Sequence, residues 1–198
     1  MASFRVNALH ACLARLSTAR VNAHAGLIAD TLVSLALLGA GFWRNEVGIA
    51  GTVATFFFGL ILFSLVEYVF HRWLFHGYVD LMAQGHRQHH EDPAGYDALP
   101  FFMPPLAMLT LAGVLATFAP TSIALLLTGA LAAGYAAYGL AHTAIHGKRF
   151  QQPLARRWAA SHHIHHHHPD RNFGVTTPLW DIVLGTRHVP AREHGEQH

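Results

Sequence analysis

Eighteen of the 198 residues are histidines, and ten of them fall into four clusters. The clusters are His71 with His76, His86 with His89 and His90, His142 with His146, and His162 with His165 and His166. Helix positions i, i+3 and i+4 share a face, so the H-x-x-H-H triplets and the His142/His146 pair each present their rings together. Imidazole is the commonest side-chain metal ligand and suits Zn, Fe, Cu and Ni. Ten imidazoles exceed the needs of one ion and suit two. The last cluster lies in the tract Ser161 to Pro169, where His163, His166 and His167 form a rival H-x-x-H-H that spacing alone does not exclude. The tract is internal and continues into Asn172-Phe-Gly-Val-Thr-Thr-Pro-Leu-Trp-Asp181, unlike a purification tag. Four clusters at helical spacing also differ from the single His-rich tract of a loose metal buffer.

His71 and His76 are the exception. Five residues turn an α-helix by about 500°, leaving the two roughly 140° apart. Either the helix frays at Gly77 or the two rings serve different metals, and the second arrangement is expected. No Glu-x-x-His occurs among the clusters, so carboxylate bridging of the kind used in di-iron bundles is not indicated. Neutral imidazoles leave the charge of two divalent ions uncompensated. Glu67, four residues before His71, is expected to offset it from behind the ligands, with Glu91, Asp92 and Asp170 as further candidates.

These clusters need elements to hold them, and the composition says which. The chain is 52% hydrophobic and only 12% charged, where soluble domains carry about 25% charged residues. A net charge of +2 gives no reason to expect nucleic acid. The single cysteine, Cys12, excludes an intrachain disulfide and argues against a thiolate site. Residues 1–25 mix Arg5, Arg15 and Arg20 with apolar residues and read as an amphipathic segment on the membrane surface. Residues 26–198 read as one membrane di-metal domain. Gly26 to Trp43 and Val47 to Val66 are long enough to span a ~30 Å hydrocarbon core, with Asp30 expected at the interface. Ala98 to Ala141 has no charged residue and would make a helix of about 66 Å, so the Ala119–Ser122 stretch is expected to divide it into two spans. The expectation is an all-α integral membrane protein with four transmembrane helices in two hairpins. All four clusters then fall on one side as a histidine-rich helical cap. Every Lys and Arg but Arg44 falls on that side too, which marks it as cytoplasmic.

The segments Glu67-Tyr-Val-Phe-His-Arg-Trp-Leu-Phe-His76, His86-Arg-Gln-His-His90, Met103-Pro-Pro105, His142-x-x-x-His146, His162-x-x-His-His166 and Asn172-Phe-Gly-Val-Thr…Leu-Trp-Asp…Gly185-Thr186 together resemble the fatty acid hydroxylase and sterol desaturase superfamily. The resemblance covers roughly residues 60–187 and looks strongest to the fatty acid 2-hydroxylase branch. It implies a membrane enzyme with two non-haem Fe ions that hydroxylates a lipid C–H bond using O2 and two electrons. It also implies that the ten clustered histidines are the ligands, in the His162/His165/His166 register. Iron over zinc follows from the resemblance alone, and zinc is expected to be able to occupy the purified protein. No cytochrome-type haem domain is recognised before residue 26, so electrons are expected from a separate protein. Apolar residues at the membrane edge, Phe70, Trp73, Phe75, Phe101 and Phe102, are candidates to line a lipid tunnel. Two rivals stand beside this reading. A lipid or sterol desaturase would use the same centre, and a membrane metal-handling protein would gather ligands near the bilayer midplane rather than at one edge.

Overall fold

The computed structural model describes residues 13, 15–77, 80–96 and 98–189, so most of the expected amphipathic segment lies outside the described residues. Among the described residues from Arg20 onward, seven α-helices follow in order: α1 Arg20–Arg44, α2 Gly48–Val69, α3 Asp80–Glu91, α4 Met103–Leu115, α5 Thr121–Gly147, α6 Pro153–His167 and the short α7 Leu179–Val183. A π-helical turn, Phe70–Phe75, prolongs α2 without a break. No strand occurs among the described residues.

Among the described residues, three stretches are long and apolar enough to cross a membrane: Arg20–Arg44, Gly48–Phe75 and Thr121–Gly147. Their outward faces carry exposed Ile28, Leu32, Phe57, Phe58 and Ile61, as lipid contact requires. The first starts six residues before the apolar stretch that begins at Gly26, with Ala19 supplying the extended N-cap backbone. The fourth expected span differs more. Helix α4 has 13 residues, about 20 Å, short of a ~30 Å core. The segment leading into it is held by Asn22 of α1, whose Oδ1 accepts from Phe101 N at 2.9 Å and whose Nδ2 donates to Leu99 O at 3.0 Å. After α4, turns over residues 116–119 lead to Pro120, and α5 begins.

Helix α5 is the central element and packs most heavily on α1, then on α2 and α4. Its start is capped from another element. Glu46, in the α1–α2 turn, accepts from Ser122 N at 2.9 Å and from Arg44 Nε at 3.1 Å. These bonds, the backbone one first, hold its carboxyl below the ordinary carboxylate range. The turn itself depends on Asn45 at φ 44° and Gly48 at φ 67°. Close helix contact depends on small residues. A Cβ on Gly134 of α5 would overlap the Phe63 ring of α2, and one on Gly59 of α2 would meet Ala130 of α5.

The buried stripe of α1 runs Asn22, Gly26, Asp30, Ser34, Leu37 and Gly41. Ser34 Oγ donates to Gly129 O of α5 at 3.0 Å, so the stripe faces the bundle. Asp30 belongs to it and is only 7% exposed. It stands ten residues into α1, about 15 Å from its start, and faces the bundle rather than the surface of the protein.

Candidate metal centre

All four histidine clusters meet at one end of the bundle, carried by the π turn, α3, the last turns of α5, and α6. Two sets of nitrogen ligand atoms result, each mutually within 4.8 Å: His71, His76, His86, His90 and His165 in one, and His89, His146, His162 and His166 in the other. The triplets do not stay together. Helix α3 sends its i, i+4 pair His86/His90 to the first group and His89 to the second. Helix α6 reciprocates, sending His162/His166 to the second group and His165 to the first. His90 and His166 stack at 4.4 Å between centroids where the groups adjoin. His142 lies against the second group, 4.4 Å from His89 and 5.0 Å from His162 by ring centroids, but is outside the mutual set of ligand atoms.

His71 and His76 share the first group, against the expectation that they would serve different metals. The reason is the π turn. His76 N donates to His71 O at 3.2 Å, an i→i+5 bond that brings residue 76 back over residue 71. Their rings stack at 5.3 Å. The rival register in α6 also separates physically: His162 and His165 are buried, whereas His163 and His167 are exposed.

Protein hydrogen bonds fix two tautomers. His71 Nδ1 donates to Phe173 O, and His165 Nδ1 donates to Arg171 O at 2.7 Å. A carbonyl only accepts, so in the neutral rings both Nε2 atoms carry lone pairs. These point into a crowd of like atoms: His71 Nε2 is 3.0 Å from His86 Nε2, and His76 Nε2 is 3.0 Å from both His165 and His86 Nε2. One N–H on His86 cannot serve His71, His76 and His90 at once. In the second group His89 Nε2 is buried with no protein partner. Converging lone pairs of this kind are satisfied by a cation, so the donor set fits metal ions of imidazole preference. Burial first, then neighbouring imidazoles, pushes the rings towards the neutral form. His76 falls to about 4, His89 to about 3 and His166 to about 2, with His86 and His162 held well below the usual histidine range. His165 falls to about 3, mainly by burial, against its bond to Arg171 O.

Glu67 acts at one remove from the histidines. It is buried and accepts from Val175 N, from Thr176 N at 2.9 Å and from the Thr176 hydroxyl, so it grips the 173–176 loop rather than an imidazole. Asp181, whose role spacing did not reveal, grips the same loop from the other side. It accepts from Phe173 N and Gly174 N, both at 2.8 Å, and from Thr186 Oγ1 at 2.7 Å. Together they hold the Phe173 carbonyl that orients His71. Only the spaced Leu-Trp-Asp segment signalled this residue. Glu91 and Asp92 are exposed, and Asp170 pairs with Arg171 at 3.2 Å, so none of the three bonds a clustered histidine. Of the apolar edge residues, Phe75 stacks on His86 at 5.4 Å, while Phe70, Trp73, Phe101 and Phe102 are 40–54% exposed.

The fold and site define a helical membrane protein with two adjoining polyhistidine groups at one end of its bundle. The chain belongs to the fatty acid hydroxylase family, whose model matches residues 56–186. It is 31% identical over 141 residues to the dihydroceramide fatty acyl 2-hydroxylase FAH2 of Arabidopsis thaliana, covering 65% of this chain and 58% of that one. The ceramide very long chain fatty acid hydroxylase scs7 of Schizosaccharomyces pombe is 31% identical over 79% of this chain and 49% of its own length. Human fatty acid 2-hydroxylase is 30% identical over 70% of this chain and 40% of its own. The chain thus spans about half the length of the curated relatives it matches. A solved structure of full-length scs7p, with only the hydroxylase domain visible, shares the fold at a TM-score of 0.75 and 22% identity, over 89% of this chain and 69% of that one.

Proposed function

We propose that this chain hydroxylates a C–H bond of a fatty acyl lipid at a dinuclear iron site held by His71, His76, His86, His89, His90, His142, His146, His162, His165 and His166. The observation that carries the reading is the convergence of imidazole lone pairs into two adjoining groups. The relatives' names, fatty acid and fatty acyl 2-hydroxylases, supply the substrate class and favour carbon 2. Substrate, O2, two electrons and two protons give the alcohol and one water, with the electrons delivered by a separate protein. The bound irons would supply oxygen activation and oxidation of the C–H bond.

The chain's own residues bind, orient and exclude. Phe173 O and Arg171 O hold His71 and His165 in the tautomer that leaves Nε2 free. Glu67 supports the metal-facing loop through its backbone. The surrounding apolar helices keep water from the reacting carbon and accommodate an acyl chain that stays in the bilayer. The expected four crossings fit a short span made of α4 and its flanking turns, because Asn22 holds its beginning at one level and Glu46 holds the start of α5 at the other. The positive residues favour a cytoplasmic histidine cap.

Mössbauer spectra of protein enriched in labelled iron test the centre. A coupled two-iron signal, lost in His89→Ala and His165→Ala, is the expected result. Bound zinc with no iron after anaerobic loading would overturn it, and a lipid alkene without an alcohol in the mass spectrum would overturn hydroxylation.

A further inference from the structure

A cavity of about 410 Å³ opens beside the first histidine group, walled by Arg72, Trp73, His76, Pro169, Asp170 and Phe173. Its cation is held unusually. Arg72 Nη1 donates to the Tyr68 hydroxyl at 2.8 Å, and the guanidinium carbon lies 5.2 Å from the Trp73 ring centroid, 5.8 Å from Phe173 and 5.9 Å from Tyr68. Donor order is fixed along this line. Arg72 only donates, and the Thr186 hydroxyl donates to Asp181, so Tyr68 donates onward to Thr186 at 3.0 Å. Arg72 is therefore steered by a fully buried tyrosine, and among the described residues its other N–H groups make no hydrogen bond, so they are open to a ligand. It forms no ion pair among the described residues. Asp170, the acid of the same cavity, is paired with Arg171.

A half-buried guanidinium among three aromatic faces calls for an anion, and its fork matches a carboxylate in two parallel bonds. We propose that Arg72 clamps the carboxylate of a free single-chain fatty acid, so that the carbon next to the carboxyl lies closest to the first histidine group. This rests on the hydroxylase reading and narrows it. His76 stands in the same cavity wall, with its Nε2 3.0 Å from those of His86 and His165, so a head held at Arg72 leaves little chain between carboxyl and site. Trp73 and Phe173 flank the first methylenes. A neutral amide-linked acyl group has no use for the charge, so the free acid binds in preference to the amide.

Binding of tritiated myristate and of myristamide to the full chain, in nanodiscs of neutral phospholipid, tests the clamp without turnover. Arg72→Gln is expected to weaken myristate at least about tenfold and to leave myristamide within about twofold. Asp170→Asn removes the one negative charge from the cavity and is expected to tighten myristate a few-fold with no change for myristamide. Equal effects of Arg72→Gln on both ligands, or none on myristate, would overturn the proposal. Should that variant fail to fold, Asp170→Asn decides, and unchanged myristate affinity there counts against the clamp. Wild-type, iron-loaded protein that binds myristate through Arg72 yet forms no alcohol when O2 and a chemical reductant are supplied would retain this inference and sink the hydroxylase reading.

Discussion

A neutral imidazole has one N–H and one lone pair, and the value of each histidine here depends on which of the two faces inward. Phe173 O and Arg171 O decide that for His71 and His165. The two registers of the histidine tract make a direct comparison. His162 is 1% exposed within the second group, whereas His163 is exposed beside it. His162→Ala is expected to lose roughly half of the bound metal, since one group loses a ligand, while His163→Ala retains it. Metal content by mass spectrometry checks both, and a loss confined to His163→Ala would reverse the register. The four histidine clusters were legible in the sequence from side-chain type and spacing, whereas the choice of His162, His165 and His166 over the rival register came from the family resemblance. The loop grip by Glu67 and Asp181 was not legible, since their partners are backbone N–H groups that every residue possesses.

The elements that position these residues depend on local departures from the regular helix. The π turn Phe70–Phe75 replaces the 140° separation of an α-helix with a stacked pair, and no residue in Phe-His-Arg-Trp-Leu-Phe announces it. Tertiary contacts supply the reason: His71 is tied to Phe173 O and His76 faces His165, so the chain takes up one extra residue to serve both. Packing of α2 on α5 rests on glycine. Gly134→Val would force Phe63 aside and is expected to cost about 1–3 kcal/mol. Thermal unfolding in mild detergent reads that loss, and an unchanged midpoint would show that the two helices can separate freely. Helix α1 beginning at Arg20, and the shortness of α4, escaped the hydropathy reading. Apolar content marks where lipid is tolerated, not where the backbone becomes helical.

At the scale of the whole molecule, the histidine end couples acidity to stability. Below about 6.5 an unfolded histidine binds a proton. In the folded, metal-free chain His76 does so only near 4, and His89 and His165 near 3. Between those values the unfolded state holds more protons, so stability is full above about 6.5 and falls as pH falls. The unfolding midpoint of metal-free protein is expected to drop from pH 7 to pH 5, and a flat profile would contradict buried neutral rings. Topology has its own check. In a Cys12→Ala background, Thr117→Cys is expected to react with an impermeant maleimide from outside intact cells, and Arg149→Cys only after permeabilisation. Labelling of Thr117→Cys from the same side as Glu91→Cys, which stands before α4, would remove the fourth crossing. The sequence by itself determined an all-helical membrane chain and four histidine clusters, because apolar length and residue type are properties of contiguous residues. Only the tertiary structure decided that His71 joins His76, that each triplet divides between two groups, and that Asp30 is buried. Those outcomes depend on contacts between segments far apart in the chain, 95 residues for the Ser34–Gly129 bond and 102 for the His71–Phe173 bond, and no local pattern encodes them.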